Sequence, residues 1–107
     1  MLPEALLEQT FFVGVDLGQR QDPSAAVVVE RTRVEYGERD PETLGRKKEY
    51  RLAVRYLEPF ALETPYEDVV AQVGHLVRSG DLRKNCQAVV DATGVGIPVL
   101  EMMRRAH

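Results

Sequence analysis

Two apolar runs, each ending in an aspartate and leading into glycine-bearing sequence, constrain this chain more than anything else in it. The first is Phe11-Phe-Val-Gly-Val-Asp-Leu17, closed by Gly18. The second is Cys86-Gln-Ala-Val-Val-Asp91, followed by Ala-Thr-Gly-Val-Gly96. Short, nearly continuous apolar runs suit strands buried on both faces. A carboxylate at the end of such a strand emerges at the carboxyl edge of the sheet, where open α/β sheets place their ligands.

The rest of the sheet and its helices follow from pattern. Ala25-Ala-Val-Val-Val-Glu30 is β-branched and comes after a polar turn, Gly18 to Pro23, so it reads as a second strand in a hairpin with the first. Arg31 to Glu49 is crowded with charge and interrupted by Gly37, Pro41 and Gly45, which predicts a long hairpin loop or splayed strand ends. Tyr50 to Leu57 alternates, with Leu52, Val54 and Tyr56 on one face and Arg51, Ala53 and Arg55 on the other. It reads as an edge strand that Pro59 ends. Thr64-Pro-Tyr-Glu67 predicts a helix start with Thr64 as cap, Pro65 in the first position and Glu67 closing a capping box. Tyr66, Val69, Val70, Val73, Leu76 and Val77 give that helix one apolar stripe, and Gly80 is placed to stop it. A last helix starts near Pro98 and presents Val99, Met102, Met103 and Ala106. Residues 1–10 read as an arm or a short helix. The order strand, strand, strand, helix, strand, helix predicts an α/β fold on a mixed sheet in the order 3-2-1-4, with the fourth strand parallel to the first.

A chain of 107 residues supports one small domain. The net charge is −3, so a basic footprint for nucleic acid has to be local. A single cysteine, Cys86, excludes an internal disulfide and a multi-cysteine zinc site. No apolar run approaches the ~20 residues that span a bilayer, and the acidic N-terminal segment is unlike a signal peptide. The expected setting is soluble and cytoplasmic, with no membrane partner.

If the first and fourth strands are neighbours, about 4.8 Å apart, Asp16 and Asp91 are brought together. Two carboxylates that close repel unless one takes a proton or a cation bridges them. Magnesium and manganese prefer such oxygen donors. A pair of these ions ~3.5–4 Å apart can activate water and stabilise the leaving oxygen in phosphodiester cleavage. The plainer reading of either aspartate is a turn or helix cap.

Val13-Gly-Val-Asp-Leu-Gly18, Asp22-Pro-Ser-Ala-Ala-Val-Val-Val29 and Val89-Val-Asp-Ala-Thr-Gly-Val-Gly-Ile-Pro98 together resemble the ribonuclease H-like nuclease domain of phage terminase large subunits. The resemblance runs over roughly residues 12–105, and the last block is its more specific part. It implies a metal-dependent DNA endonuclease that cuts concatemeric viral DNA during packaging. It also implies two Mg2+ or Mn2+ ions, with Asp16 binding or bridging both and Asp91 binding one. The implied partners are double-stranded DNA and other terminase or packaging components, in a bacterial host or virus-infected cell. The family's domain continues to a further strand and helix that bring a third metal-binding acid, and the family carries a separate ATPase domain. This chain has neither, and no Gly-x-x-x-x-Gly-Lys-Ser/Thr loop. The expectation is a C-terminally truncated nuclease domain, excised or a prophage remnant, whose activity turns on the missing acid. The alternative is a catalytically inactive ribonuclease H-like interaction module. Truncation is expected to leave an apolar sheet edge or face exposed, which self-association would cover. Half of an actin-like nucleotide-binding domain is a third reading, opposed by the absence of Thr or Ser after Gly18.

The densest basic stretch is Arg46, Lys47 and Lys48, with Arg51 and Arg55 beyond. It is a candidate DNA contact beside the metal site, or else a solvated loop and a charge-protected edge. Asp22 could approach the acid pair from its loop, though a turn before Pro23 explains it as well. Thr93-Gly-Val-Gly96 could offer backbone amides to a phosphate, or simply turn tightly. His75 reads as a partly exposed helix residue and Cys86 as a small core residue. Glu101 sits in the last helix, and nothing in the pattern makes it the missing acid.

Overall fold

The first strand is longer than its apolar run. In the computed structural model, which describes residues 2–18, 22–91, 93 and 96–106, β1 spans Ala5–Asp16. Residues 5–10, expected as an arm or short helix, are therefore strand. They pair antiparallel with Arg31–Glu35 of β2 (Ala25–Tyr36), with one irregularity between Leu6 and Glu8. β2 pairs antiparallel with β3 (Lys47–Pro59), and β4 (Cys86–Asp91) pairs parallel with β1. The result is an α/β fold on a four-stranded mixed sheet in the order β3-β2-β1-β4, as the sequence predicts.

Of the charged stretch Arg31 to Glu49, both ends are strand and the middle is the expected long hairpin loop. β2 and β3 stay paired out to Tyr36 opposite Lys47, leaving 37–46 as the connection. Asp40 organises that connection. Its Oδ1 accepts from the Glu42 and Thr43 amides at 2.8 and 3.2 Å, and its own amide donates to the Gly45 carbonyl at 2.7 Å.

Helix α1 (Tyr66–Val77) and helix α2 (Ile97–Ala106) lie on one face of the sheet. Val13, Val15, Ala26 and Val28 from the strands meet Val69, Val70 and Val73 of α1 and Met103 of α2 in one buried cluster. The α1 stripe packs on the core, with Val69, Val70 and Val73 buried and Tyr66, Leu76 and Val77 partly so, but its start is not a capping box. The Thr64 hydroxyl donates to the Ala61 carbonyl at 2.6 Å, Pro65 occupies the cap position, and no side chain caps the helix. The helix ends at Val77, before Gly80, which opens a 3-10 turn over Gly80–Arg83 with φ +49°. No helix among the described residues is long and apolar enough to cross a membrane.

The other sheet face has no covering layer among the described residues. That corrects the expectation of strands buried on both faces: β1 is central but covered on one side, and β4 is an edge strand with Val89 62% exposed. A bulge in β3 decides which side chains lie there. Val54 pairs with Val29 and Tyr56 with Val28, so Arg55 is the extra residue and the alternation breaks. Tyr56 turns to the helix side, lining a small cavity with Phe60 and Val73. Tyr50, Leu52, Val54 and Leu57 share the open side; Leu52, Val54 and Leu57 are 70%, 67% and 66% exposed.

Candidate functional site

The parallel pairing of β1 and β4 sets Asp16 directly opposite Asp91. The ladder is held at both ends of the overlap, by the Phe11 amide on the Asn85 carbonyl and the Leu17 amide on the Asp91 carbonyl, each at 3.0 Å. Side chains directly opposite in a parallel pair project to the same face. Both carboxylates therefore belong to the open face, at the carboxyl ends of their strands, and both residues are exposed.

The two acids differ in their local chemistry. Asp91 Oδ1 accepts from the Thr93 amide at 3.0 Å and the Thr93 hydroxyl at 2.7 Å. Those bonds favour the ionised form, with the hydroxyl the larger influence, and hold the Asp91 carboxyl below the usual aspartate range. They also commit the Thr93 amide, one of the groups considered for phosphate binding. Gly94 and Val95 of that segment, like residues 19–21 of the first loop and His107, lie outside the described residues.

Beside the acids the open face carries an apolar depression of about 310 Å³, lined by Gly14, Ala25, Val27, Leu57 and Val89. Gly14 forms its floor. A Cβ added there would stand 3.1 Å from Val27 Cγ1. Sequence reasoning did not find this depression, because its walls come from four strands and from the Arg55 bulge.

Other candidates lie elsewhere. Asp22 lines a separate depression of about 390 Å³ with Ser24, Glu63 and Tyr66. The Asp22 and Pro23 backbone lies close against Gly18, whose amide donates to Ser24 Oγ at 3.0 Å and whose carbonyl accepts from the Tyr66 hydroxyl at 2.5 Å. Lys47 and Lys48 sit at the far end of the β2–β3 ladder from Ala25, about 36 Å away at ~3.3 Å per residue. The basic stretch is therefore not beside the acid pair. Arg46 is occupied: its side chain is only 5% exposed, it donates to the Gly37 and Pro3 carbonyls at 2.7 Å each, and it lies 3.9 Å from Glu35. Arg51 holds Glu4 at 2.8 and 2.9 Å, and Arg55 holds Glu30 at 2.5 Å on the helix side. Glu101 pairs within its helix with Arg104 at 3.8 Å. His75 is exposed. Cys86 is half-buried, and that burial pushes its thiol up.

By donor chemistry the acid pair suits a hard cation, since it offers carboxylate oxygens only. Among the described residues no group of three or more His, Cys, Asp or Glu is arranged to hold a metal. No family model matches the chain, and neither curated proteins nor solved structures give a match.

Proposed function

We propose that this chain is a metal-dependent phosphodiester hydrolase acting on DNA, of the ribonuclease H-like kind found in the nuclease domain of phage terminase large subunits. The observation that carries the reading is the register of Asp16 opposite Asp91 at the carboxyl edge of a mixed sheet in the order β3-β2-β1-β4. Asp16 and the second carboxylate oxygen of Asp91 would hold Mg2+ or Mn2+. When bound, such ions supply charge neutralisation at the phosphate and activation of water. The two hydrogen bonds from Thr93 favour the ionised form of Asp91. Two acids leave most coordination positions to water and phosphate oxygens, so a two-ion site depends on the substrate for its remaining ligands.

The test is nicking of supercoiled plasmid in Mn2+ by the parent chain beside Asp16→Asn and Asp91→Asn. Nicking by the parent that falls at least 100-fold in both variants supports the reading. Nicking that survives both substitutions overturns it. A second reading, a catalytically inactive interaction module, is favoured by the absence of a third acid beside the pair among the described residues. A parent chain with no nicking and no Mn2+-induced shift in melting temperature selects that module.

A further inference from the structure

The open sheet face carries no covering layer among the described residues, and charge differs between its two ends. At one end stand Asp16 and Asp91, level with Ala25 of β2. The middle is apolar: Phe12 and Gly14 of β1, Val27 and Val29 of β2, Val54 and Leu57 of β3. At the other end stand Arg31 and Arg33, with Glu8 of β1 in register with Arg33 and nothing acidic in register with Arg31, whose β1 partner is Thr10 and β3 partner Leu52. The Arg31 guanidinium lies 5.1 Å from the Phe12 ring centre and 5.0 Å from that of Tyr50, and Arg33 lies 5.8 Å from Tyr50. Among the described residues neither arginine belongs to an ion pair, although Arg46, Arg51, Arg55 and Arg104 all do.

We propose that this face is the contact surface of a symmetric dimer in which the Arg31 end of one copy faces the Asp16 and Asp91 end of the other. The occupant is a second copy because the face is its own electrostatic complement. Ala25 and Arg31 lie on opposite sides of Val28 and equally far from it along β2, each about 10 Å away at ~3.3 Å per residue. A two-fold axis level with Val28, lying between the sheets and across the strands, therefore sets the acid end of each copy against the arginine end of the other, with Arg31 over Ala25 and one strand from Asp16, and the Val27 row over the Val29 row. An axis along the strands would stack acid on acid and is excluded by repulsion. Sheets packed face to face sit about 10 Å apart with strands crossing at about 30°, a gap that opposing aspartate and arginine side chains span. Edge pairing through β3 is a poorer solution, since Lys47, Lys48, Arg51 and Arg55 charge that strand. The dimer does not depend on the nuclease reading. It would supply the acid pair with cationic groups that its own copy places at the other end of the face.

Sedimentation equilibrium of the full chain in metal-free buffer tests this. The expected result is a dimer that Leu57→Glu and Val54→Lys each convert to monomer while far-UV circular dichroism is retained. Arg31→Glu raises the dimer Kd about tenfold or more, and adding Asp16→Arg to the same chain restores most of the loss. A monomeric parent at 100 µM overturns the proposal and leaves the face to a different partner. A dimer indifferent to Leu57→Glu and Arg31→Glu also overturns it, because association then uses another surface. A variant that loses its circular dichroism is replaced by the other apolar substitution, so the outcome rests on folded protein.

Discussion

Thr93 is the residue whose role changes most between sequence and structure. In the sequence it opens a glycine-rich stretch and suggests a phosphate cradle. In the fold it donates twice to Asp91. The Asp91 carboxyl is consequently held low, chiefly by the hydroxyl. A carboxylate whose pKa is lower in the folded state stabilises that state above its unfolded value of about 3.9, and the contribution is lost as pH falls through the lower folded value. Thr93→Val removes the hydroxyl and keeps the amide, so the Asp91 pKa is expected to rise toward the usual aspartate value. Carboxyl carbon chemical shifts followed against pH measure this directly; an unchanged midpoint would show that the hydroxyl is not the controlling donor. The two aspartates themselves were legible because each closes an apolar run. A turn at Asp91 was the plainer reading of that residue, but the Thr93 hydroxyl as its second donor was not legible, because a two-residue side-chain turn leaves no periodic trace.

At the scale of elements, strand identity and order were readable from Phe11–Leu17, Ala25–Glu30 and Cys86–Asp91, but the covered face was not. Phe11-Phe12-Val13 and Val27-Val28-Val29 are apolar on both sides, so neither says where the helices go. The alternation of Tyr50–Leu57 does carry a side, yet the Arg55 bulge reverses it part-way and sends Tyr56 to the helices while Leu52 and Val54 stay exposed. Helix α1 makes a sharper test of what holds an element. A threonine cap is ordinarily worth about 1 kcal/mol. Here Thr64 instead donates to Ala61, so Thr64→Ala is expected to change stability by no more than about 0.5 kcal/mol. Val73, 1% exposed on the same helix, loses two buried methyl groups on substitution by alanine, a cost of about 2 kcal/mol. Urea unfolding of the two variants side by side checks the ranking, and a larger loss for Thr64→Ala would restore the capping box.

The molecule as a whole is lopsided. Its radius of gyration is 18.3 Å, against about 13 Å for a compact chain of this length, and its longest dimension is 59 Å. The excess is the ribbon formed by the first half of β1, the second half of β2 and the first half of β3, which runs past β4. Helices cover one side of the sheet, and the acid pair shares the opposite side with the exposed valines and leucines. The proposed cation binding and the proposed self-association would therefore compete for the same carboxylates. A divalent ion held by Asp16 and Asp91 cancels the charge that Arg31 of a second copy would meet. Added Mn2+ is accordingly expected to raise the dimer Kd about tenfold, and Asp16→Asn is expected to weaken the dimer without metal and to blunt its response to Mn2+. Sedimentation with and without Mn2+ separates the two proposals. A dimer that depends on Arg31 but ignores Mn2+ counts against metal binding at the pair and leaves the interface standing. Metal binding detected by melting shift in a chain that stays monomeric does the reverse.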